Sequence, residues 1–473
     1  ESLNKYFGYN FFDKKLKKVV IDARKDLNNK KLNPSNLEDV MVASIVKKAE
    51  EISDNVITFE NVNYNKKDRK VDKILTSKKY GFPIMLCLLM VVFWITIIGA
   101  NYPSSILYDF LFWIEDKLLE LFRMIKAPIW LSNCLVLGVY RVLAWVISVM
   151  LPPMAIFFPL FTLLEDLGYL PRIAFNLDRC FKKCKTCGKQ ALTMCMGFGC
   201  NAAGVTGARI IDSPRERLIA ILTNSFVPCN GRFPAIISII TMFFVGFNVS
   251  LGNSLLTTVI LTLVILMGIF MTFTISRLLS NTILKGMPSS FTLELPPYRK
   301  PQIGKVLIRS IFDRTLFVLG RAISVAAPAG LVIWVLANVN YNGLSLLEYC
   351  SNFLDPIGSL MGLDGVILMA FILGFPANEI VIPLIIMGYM AMGTITEFDN
   401  LVELKKLLIS NGWTTTTAIN FIVFSLFHFP CSTTCMTIRK ETGSNKWMFV
   451  AIIIPTLVGF IFCVLINLFF KII

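Results

Sequence analysis

Twelve cysteines and a single histidine are distributed along this chain of 473 residues, and two of the cysteines stand in the same unusual setting. In "SFVPCNGRFPAI", Ser225 to Ile236, Cys229 follows Pro228 inside an otherwise apolar run. In "LFHFPCSTTC", Leu426 to Cys435, Cys431 follows Pro430 in the same way. A proline inside a helix removes a backbone hydrogen bond and clashes with the preceding turn, so each dipeptide marks a break. Soft sulfur at a break in an apolar segment suits a borderline transition metal such as Fe(II), and suits Mg or Ca poorly.

Other donors stand nearby. Cys200 and Asn201 close "GFGCN", Gly197 to Asn201, and Asn378 and Glu379 close "GFPANE", Gly374 to Glu379. Each half of the chain therefore carries Gly-Phe, two small or imino residues and Asn, followed later by Pro-Cys. The separations are 27 residues from Asn201 to Pro228 and 52 from Asn378 to Pro430, a difference the segment Gly393 to Gly412 can supply. His428 lies three residues before Cys431 and is expected on the same helix face, and Cys435 lies four after it. The candidate metal set is thus Cys229, Cys431, Cys200, Asn201, Asn378, Glu379, His428 and Cys435, with freed carbonyls at the breaks completing the shell. Glu379 reads either as a functional intramembrane acid or as a cap on the break at Pro376. Glu165 and Asp166 read as pathway residues or as structural partners of Arg172. Cys87, Cys134, Cys350 and Cys463 read as small packing residues, and the CxxC of Cys184 and Cys187 as surface thiols of a basic loop.

The elements that must position these residues are membrane helices. Apolar residues make up 55% of the sequence and charged ones 16%, well below the quarter usual in soluble proteins, and the mean hydropathy is +0.66. Runs long enough for a bilayer core are Phe82–Ala100, Val142–Leu164, Leu218–Phe247, Leu255–Ile275, Leu316–Ala337, Val366–Met392 and Phe449–Phe470. Ala191–Ala208 and Thr414–Cys435 are rich in Gly, Thr, Asn, Cys and Pro, as expected of broken helices or of loops that return to the same side. The expectation is an all-α polytopic membrane protein of eight or nine segments with two broken-helix regions. Paired halves built around interrupted helices are a transporter pattern.

Charge sets the orientation. The N-terminal region, Arg172 to Lys189 and Arg277 to Arg314 are basic, whereas Ala322 to Leu404 contains no Lys, Arg or His. Positive loops stay inside, so the N-terminus faces the cytoplasm and the acids Glu348, Asp355 and Asp364 face outward. The net charge of +15 follows from this bias, and no nucleic-acid partner is needed to explain it. Residues 1–72 read as a cytosolic helical segment of two amphipathic helices and the polar linker "ENVNYNKKDRKVDK", and 73–473 as the membrane domain.

Five motifs in order, "GFGCNAAGVTGARIIDSPRERL", "SFVPCNGRFPA", "ELPPYRKPQ", "GFPANEIVIPLIIMGY" and "HFPCSTTCMTIRKETGSNKW", resemble the membrane domain of the bacterial ferrous iron transporter B family. The resemblance implies Fe(II) as the transported substrate, import across a bacterial inner membrane, and gate regions at 218–247 and 418–436. It places the family's metal-handling cysteines at Cys229 and Cys431, its GFGCN cysteine at Cys200 and its Asn-Glu pair at Asn378 and Glu379. Family members begin with a GTPase, so GTP and Mg are expected only through an upstream domain. No G-x-x-x-x-G-K-[ST] stands in this chain, and the "NKKD" at Asn65 to Asp68 reads as linker. Partners expected beside lipid and iron are small cytosolic proteins of the FeoA and FeoC kind and further copies of the chain. The alternatives are transport of Mn, Zn or a nucleoside-like solute, an intramembrane enzyme using Cys431 with His428 as base, and a structural or regulatory subunit.

Overall fold

The computed structural model describes residues 66–246 except 78, 251–285, 298, 302–390 except 342, and 401–472, with scattered positions between 22 and 56. Of the two expected amphipathic helices, the first lies almost wholly outside the described residues. The second is helical at every described position from Met41 to Ser53. The expected linker is instead a helix where it is described, α1 (Lys66–Leu75), so the Lys66 to Asp68 part of "NKKD" is the first turn of that helix.

After α1 come α2 (Gly81–Met124), α3 (Arg141–Asp166), α4 (Tyr169–Lys183), α5 (Lys189–Gly199), α6 (Asn201–Gly207), α7 (Pro214–Thr223), α8 (Phe233–Ile240) and α9 (Leu251–Asn281). The second half supplies α10 (Leu316–Asn338), α11 (Leu346–Leu360), α12 (Gly365–Leu373), α13 (Val381–Met390), α14 (Leu401–Ser410), α15 (Thr415–Phe427), α16 (Ser432–Thr442) and α17 (Asn445–Ile472). Strand structure among the described residues is a two-residue ribbon, Asn340–Tyr341 against Leu344–Ser345.

Among the described residues, six helical stretches are long and apolar enough to cross a membrane, seven if α11 and α12, bent by 111°, count as one. The eight or nine segments expected are reached only by adding shorter helices, and the reason lies in two hairpins. α5 and α6 run antiparallel, with Lys189 Nζ 2.5 Å from Asp212 Oδ2 at the open end and Cys200 at the tip. α12 and α13 do the same: Gly388 packs on Val366 and Gly374 on Val381, Asp364 accepts from the Tyr389 hydroxyl, and the tip is Phe375–Ala377. Val366–Met392 is therefore a pair of half-length helices rather than one span.

The hairpins enter from opposite sides. Arg209, beyond α6, pairs with Glu441 at the end of α16 (2.7 and 2.8 Å). At the other side Trp413, before α15, stacks on Phe243 beyond α8 (6.0 Å) and donates to the Tyr389 hydroxyl (2.7 Å). The broken helix α7–α8 thus runs from the Arg209 side to the Trp413 side, and the broken helix α15–α16 runs back. The two halves are inverted copies of one plan. The Arg209 side also carries Arg439, Lys440 and Lys446, and α14 on the Trp413 side carries Lys405 and Lys406.

The acids expected in an outward loop act as helix caps. Ser345 and Glu348 form a capping box at the start of α11. Asp364 accepts from the Ile367 amide at 2.7 Å, and Asp355 accepts from the Gly365 amide at 3.0 Å.

Candidate functional site

Four backbone breaks meet where the halves join. In the first half α5 stops because Cys200 is extended (φ −155, ψ 126), and α6 starts at Asn201. In the second half Ala377 has nearly the same backbone (φ −152, ψ 119), and Asn378 starts the next helical turn. The Pro-Cys breaks correspond as well: Cys229 (φ −85, ψ 167) and Cys431 (φ −61, ψ 160) are both extended immediately before a new helix. Proline ends the helix before the Cys229 break, since the residue before it is driven out of the helical region: Val227 is extended (ψ 122). The packing is crossed, the Cys229 break lying against the Asn378 turn and α6 against α16.

Between them lies a cavity of about 40 Å³. Three thiols line it, Cys200 and Cys229 from the first half and Cys431 from the second, together with Asn201, Asn378 and Glu379. The Glu379 side chain lies directly over Gly231, where any Cβ would collide with its carboxylate. Met150 and Met154 of α3 complete one wall, adding softer thioethers. The donors line the space without closing on one point: among the described residues no three His, Cys, Asp or Glu side chains converge to hold an ion.

The amides do double duty. Turned to satisfy its neighbours, the Asn201 side chain donates to the carbonyls of Gly197 (3.3 Å) and Val227 (3.2 Å), tying the two breaks of its half together. The Asn378 amide bridges the Cys229 thiol (4.0 Å) and His428 Nε2 (3.2 Å). His428 Nδ1 lies against the carbonyls of Ser425 (2.9 Å) and Phe424 (3.1 Å), as Nε2 lies against the Asn378 amide oxygen.

Several expected ligands are placed elsewhere. His428 caps the end of α15; it does not share a helix face with Cys431, because the chain is extended between them. Cys431 instead shares a hydrogen bond with the Thr434 hydroxyl (3.2 Å), so no Cys431–His428 dyad forms. Cys435 is buried and donates to the Pro430 carbonyl (3.5 Å). Glu165 and Asp166 are exposed at the end of α3 and do not line the cavity. Arg172 pairs with Asp72 of α1 (3.0 and 3.1 Å). Cys184 and Cys187 are both buried rather than on the surface; burial first, then the Glu216 carboxylate, pushes the Cys187 thiol up to about 12.

One residue of the site has no counterpart in the sequence reading. Arg232, 1% exposed, donates to the carbonyls of Ser225 (3.1 Å) and Leu426 (2.8 Å) through Nη1 and of His428 (3.1 Å) and Phe429 (3.2 Å) through Nη2. Those are carbonyls freed by both Pro-Cys breaks. The backbone oxygens expected to complete a metal shell are thus largely taken by a guanidinium. Phe226 and Phe427, each just before its break, meet beside it at 5.8 Å.

This paired arrangement has relatives. A family described as "Gate: Nucleoside recognition" matches residues 147–243 and 319–445, one segment for each half of the repeat. "Ferrous iron transport protein B C terminus" matches 261–313. The protein named "Fe(2+) transporter FeoB" of Staphylococcus aureus (strain MSSA476) is 30% identical over 425 residues, covering 87% of this chain and 60% of its own. Over most of its length the chain is similar to part of the FeoB proteins. A FeoB relative in Methanocaldococcus jannaschii is 28% identical over 84% of this chain and 58% of its own. One in Porphyromonas gingivalis, named "Fe(2+) transport protein A/Fe(2+) transporter FeoB fusion protein", is 24% identical over 81% and 49%. The chain spans about 60% or less of these relatives. No solved structure matches it.

Proposed function

We propose that this chain conducts Fe(II) across a bacterial inner membrane, inward, through the cavity at the junction of its two halves. The observation that carries the reading is the lining: three thiols and one carboxylate, from four backbone breaks, around a space of about 40 Å³. Such a volume takes an ion with a few waters, whereas pockets for drug-sized molecules run to about 300 Å³ or more. Size therefore disfavours the nucleoside-like solute that the Gate description suggests. Sulfur beside carboxylate selects a borderline transition metal over Mg or Ca. Donors that line the space without converging suit passage, which requires sites weak enough to leave.

In this mechanism Cys229, Cys431 and Cys200 replace part of the ion's water, and Glu379 offsets its charge. Asn378, itself held by His428, keeps the Cys229 thiol in place. The relatives named Fe(2+) transporter support iron as the cargo, and their extra length accommodates the nucleotide-hydrolysing domain expected upstream as the gate. The fusion relative suggests an FeoA-like cytosolic partner; association with further copies of the chain belongs to the same reading.

The test is radiolabelled Fe(II) flux in proteoliposomes of the whole protein. Cys229→Ser with Cys431→Ser is expected to lower flux at least ten-fold with Mn and Zn flux measured alongside. Undiminished iron flux in the double variant removes the thiols from the path.

A further inference from the structure

A second hollow adjoins the first. It measures about 220 Å³, lies between α10 and α16, and is lined by Ser324, Val325, Thr433, Met436, Thr437 and Lys440. Thr433 lines both cavities. Thr433, Thr437 and Lys440 are four and three residues apart along α16, so they form one face of that helix. The face leads from Cys431, at the head of α16, to the end where Glu441 pairs with Arg209.

The Thr433 side chain is the telling group. The residue is 7% exposed. Its carbonyl accepts from the Thr437 hydroxyl (2.8 Å), but its own hydroxyl has no hydrogen bond among the described residues. A threonine in a membrane helix ordinarily returns its hydroxyl to the carbonyl four residues back, as Thr437 does here. Thr433 lines both cavities, so water or an ion can meet its hydroxyl there.

We infer that the second cavity is the inner stretch of the ion path and that Thr433 is the constriction between the two chambers, its hydroxyl binding a partly hydrated divalent cation. This rests on the central cavity being the path. The two chambers differ in the way a carried cation requires. The outer one is narrow and lined by sulfur, so the ion enters it stripped of most water. The inner one is several times larger and lined by hydroxyls, with room for several waters, so hydration is regained there, one oxygen ligand at a time. Lys440 stands at the inner rim, and its like charge keeps the chamber from becoming a trap.

Thr437→Cys and Ser324→Cys in the whole protein, reconstituted in proteoliposomes, test this with an anionic methanethiosulfonate added on the Arg209 side. Both added thiols are expected to label above the background of the unsubstituted protein. Fe(II) is expected to slow the labelling, and labelled protein to lose at least five-fold in iron flux. Thr433→Val, which keeps the shape and removes the hydroxyl, is expected to lower flux several-fold without changing the labelling of Thr437→Cys. A bulkier Thr433→Phe is expected to block flux. Thiols that stay unlabelled, labelling that leaves flux unchanged, or full flux in Thr433→Val each overturn the inner path. If Cys229→Ser with Cys431→Ser abolishes flux in the same preparation, such a failure refutes the second chamber alone; if that double variant transports normally, the central reading fails first.

Discussion

At the scale of single residues the strongest physical demand in the site is Arg232. A guanidinium buried beside lipid-facing helices is costly unless hydrogen-bonded; here Nη1 and Nη2 answer four carbonyls orphaned by two prolines, while Nε is buried without a partner among the described residues. Hydrogen bonds to charged groups contribute about 1.5–3 kcal/mol each. Arg232→Met is therefore expected to lower thermal stability by several kcal/mol and to abolish flux. Arg232→Lys, with one point charge for four acceptors, is expected to fall between. Stability in detergent and iron flux in vesicles give the two readings. His428 acts through Asn378, so His428→Ala and Asn378→Ala are expected to be non-additive, the double variant transporting no worse than the poorer single one. Full additivity in flux would show that the two side chains act separately. Cys187, its thiol held at about 12, is expected to resist maleimide at pH 8 while the exposed Cys350 reacts; a labelling time course with mass spectrometry checks it. That Cys229 and Cys431 belong to matching breaks was legible in the sequence because proline and cysteine recur as a pair. Arg232 was not, since an arginine three residues past Pro-Cys has meaning only when the other half's carbonyls arrive beside it. His428 misled for a related reason: i, i+3 spacing implies one face only if the helix is unbroken, and Pro430 breaks it.

At the scale of elements the hairpins decide the architecture, and close backbone contact holds them shut. In α6 a Cβ on Gly204 would lie 2.8 Å from the Thr193 carbonyl of α5 and closer still to Asn224. Forcing atoms into such a contact costs about 1–3 kcal/mol. Gly204→Ala is expected to lower the melting temperature in detergent and to move the Cys200 tip, reducing flux. Gly231→Ala is different, for the atom it meets is the free end of Glu379, which can swing away. Stability should be nearly unchanged and flux reduced. The sequence left Ala191–Ala208 as either a broken helix or a loop that returns to the same side, because glycine, asparagine and threonine crowd that stretch. It hid the second hairpin: both arms of Val366–Met392 are so apolar that their sum imitates one span, and composition cannot tell folding back from crossing. What composition did reveal is that helices dominate and that two of them break, and both hold.

At the scale of the whole molecule α1 is latched to the membrane part by Asp72. Its carboxylate receives the Arg172 guanidinium and the Tyr298 hydroxyl (2.6 Å), and Arg172 stacks over the Tyr298 ring at 4.2 Å. Burial pushes the Asp72 carboxyl up, but the Arg172 and Tyr298 hydrogen bonds outweigh it and hold the group below its ordinary value. A depressed carboxyl stabilises at every pH above its unfolded value, about 3.9, and loses that contribution as pH falls through the folded one. Hydrogen-exchange protection of 66–75 is therefore expected to be level from pH 8 to 5 and to fall only in stronger acid, while Asp72→Asn loses it already at pH 7. The latch is the route by which anything attached before α1 would act on the bundle. Nothing in the sequence announced it, since its three members lie 100 and 126 residues apart along the chain.

The opposed hairpins also bear on the membrane voltage. Their tips, at Cys200 and Pro376–Ala377, line the same cavity, so on the proposed path a cation crosses between two breaks rather than along a uniform tube. Each elementary charge carried across the membrane gains about 2.3 kcal/mol per 100 mV, and a divalent ion about twice that. On that path a cell that is negative inside draws the cation inward.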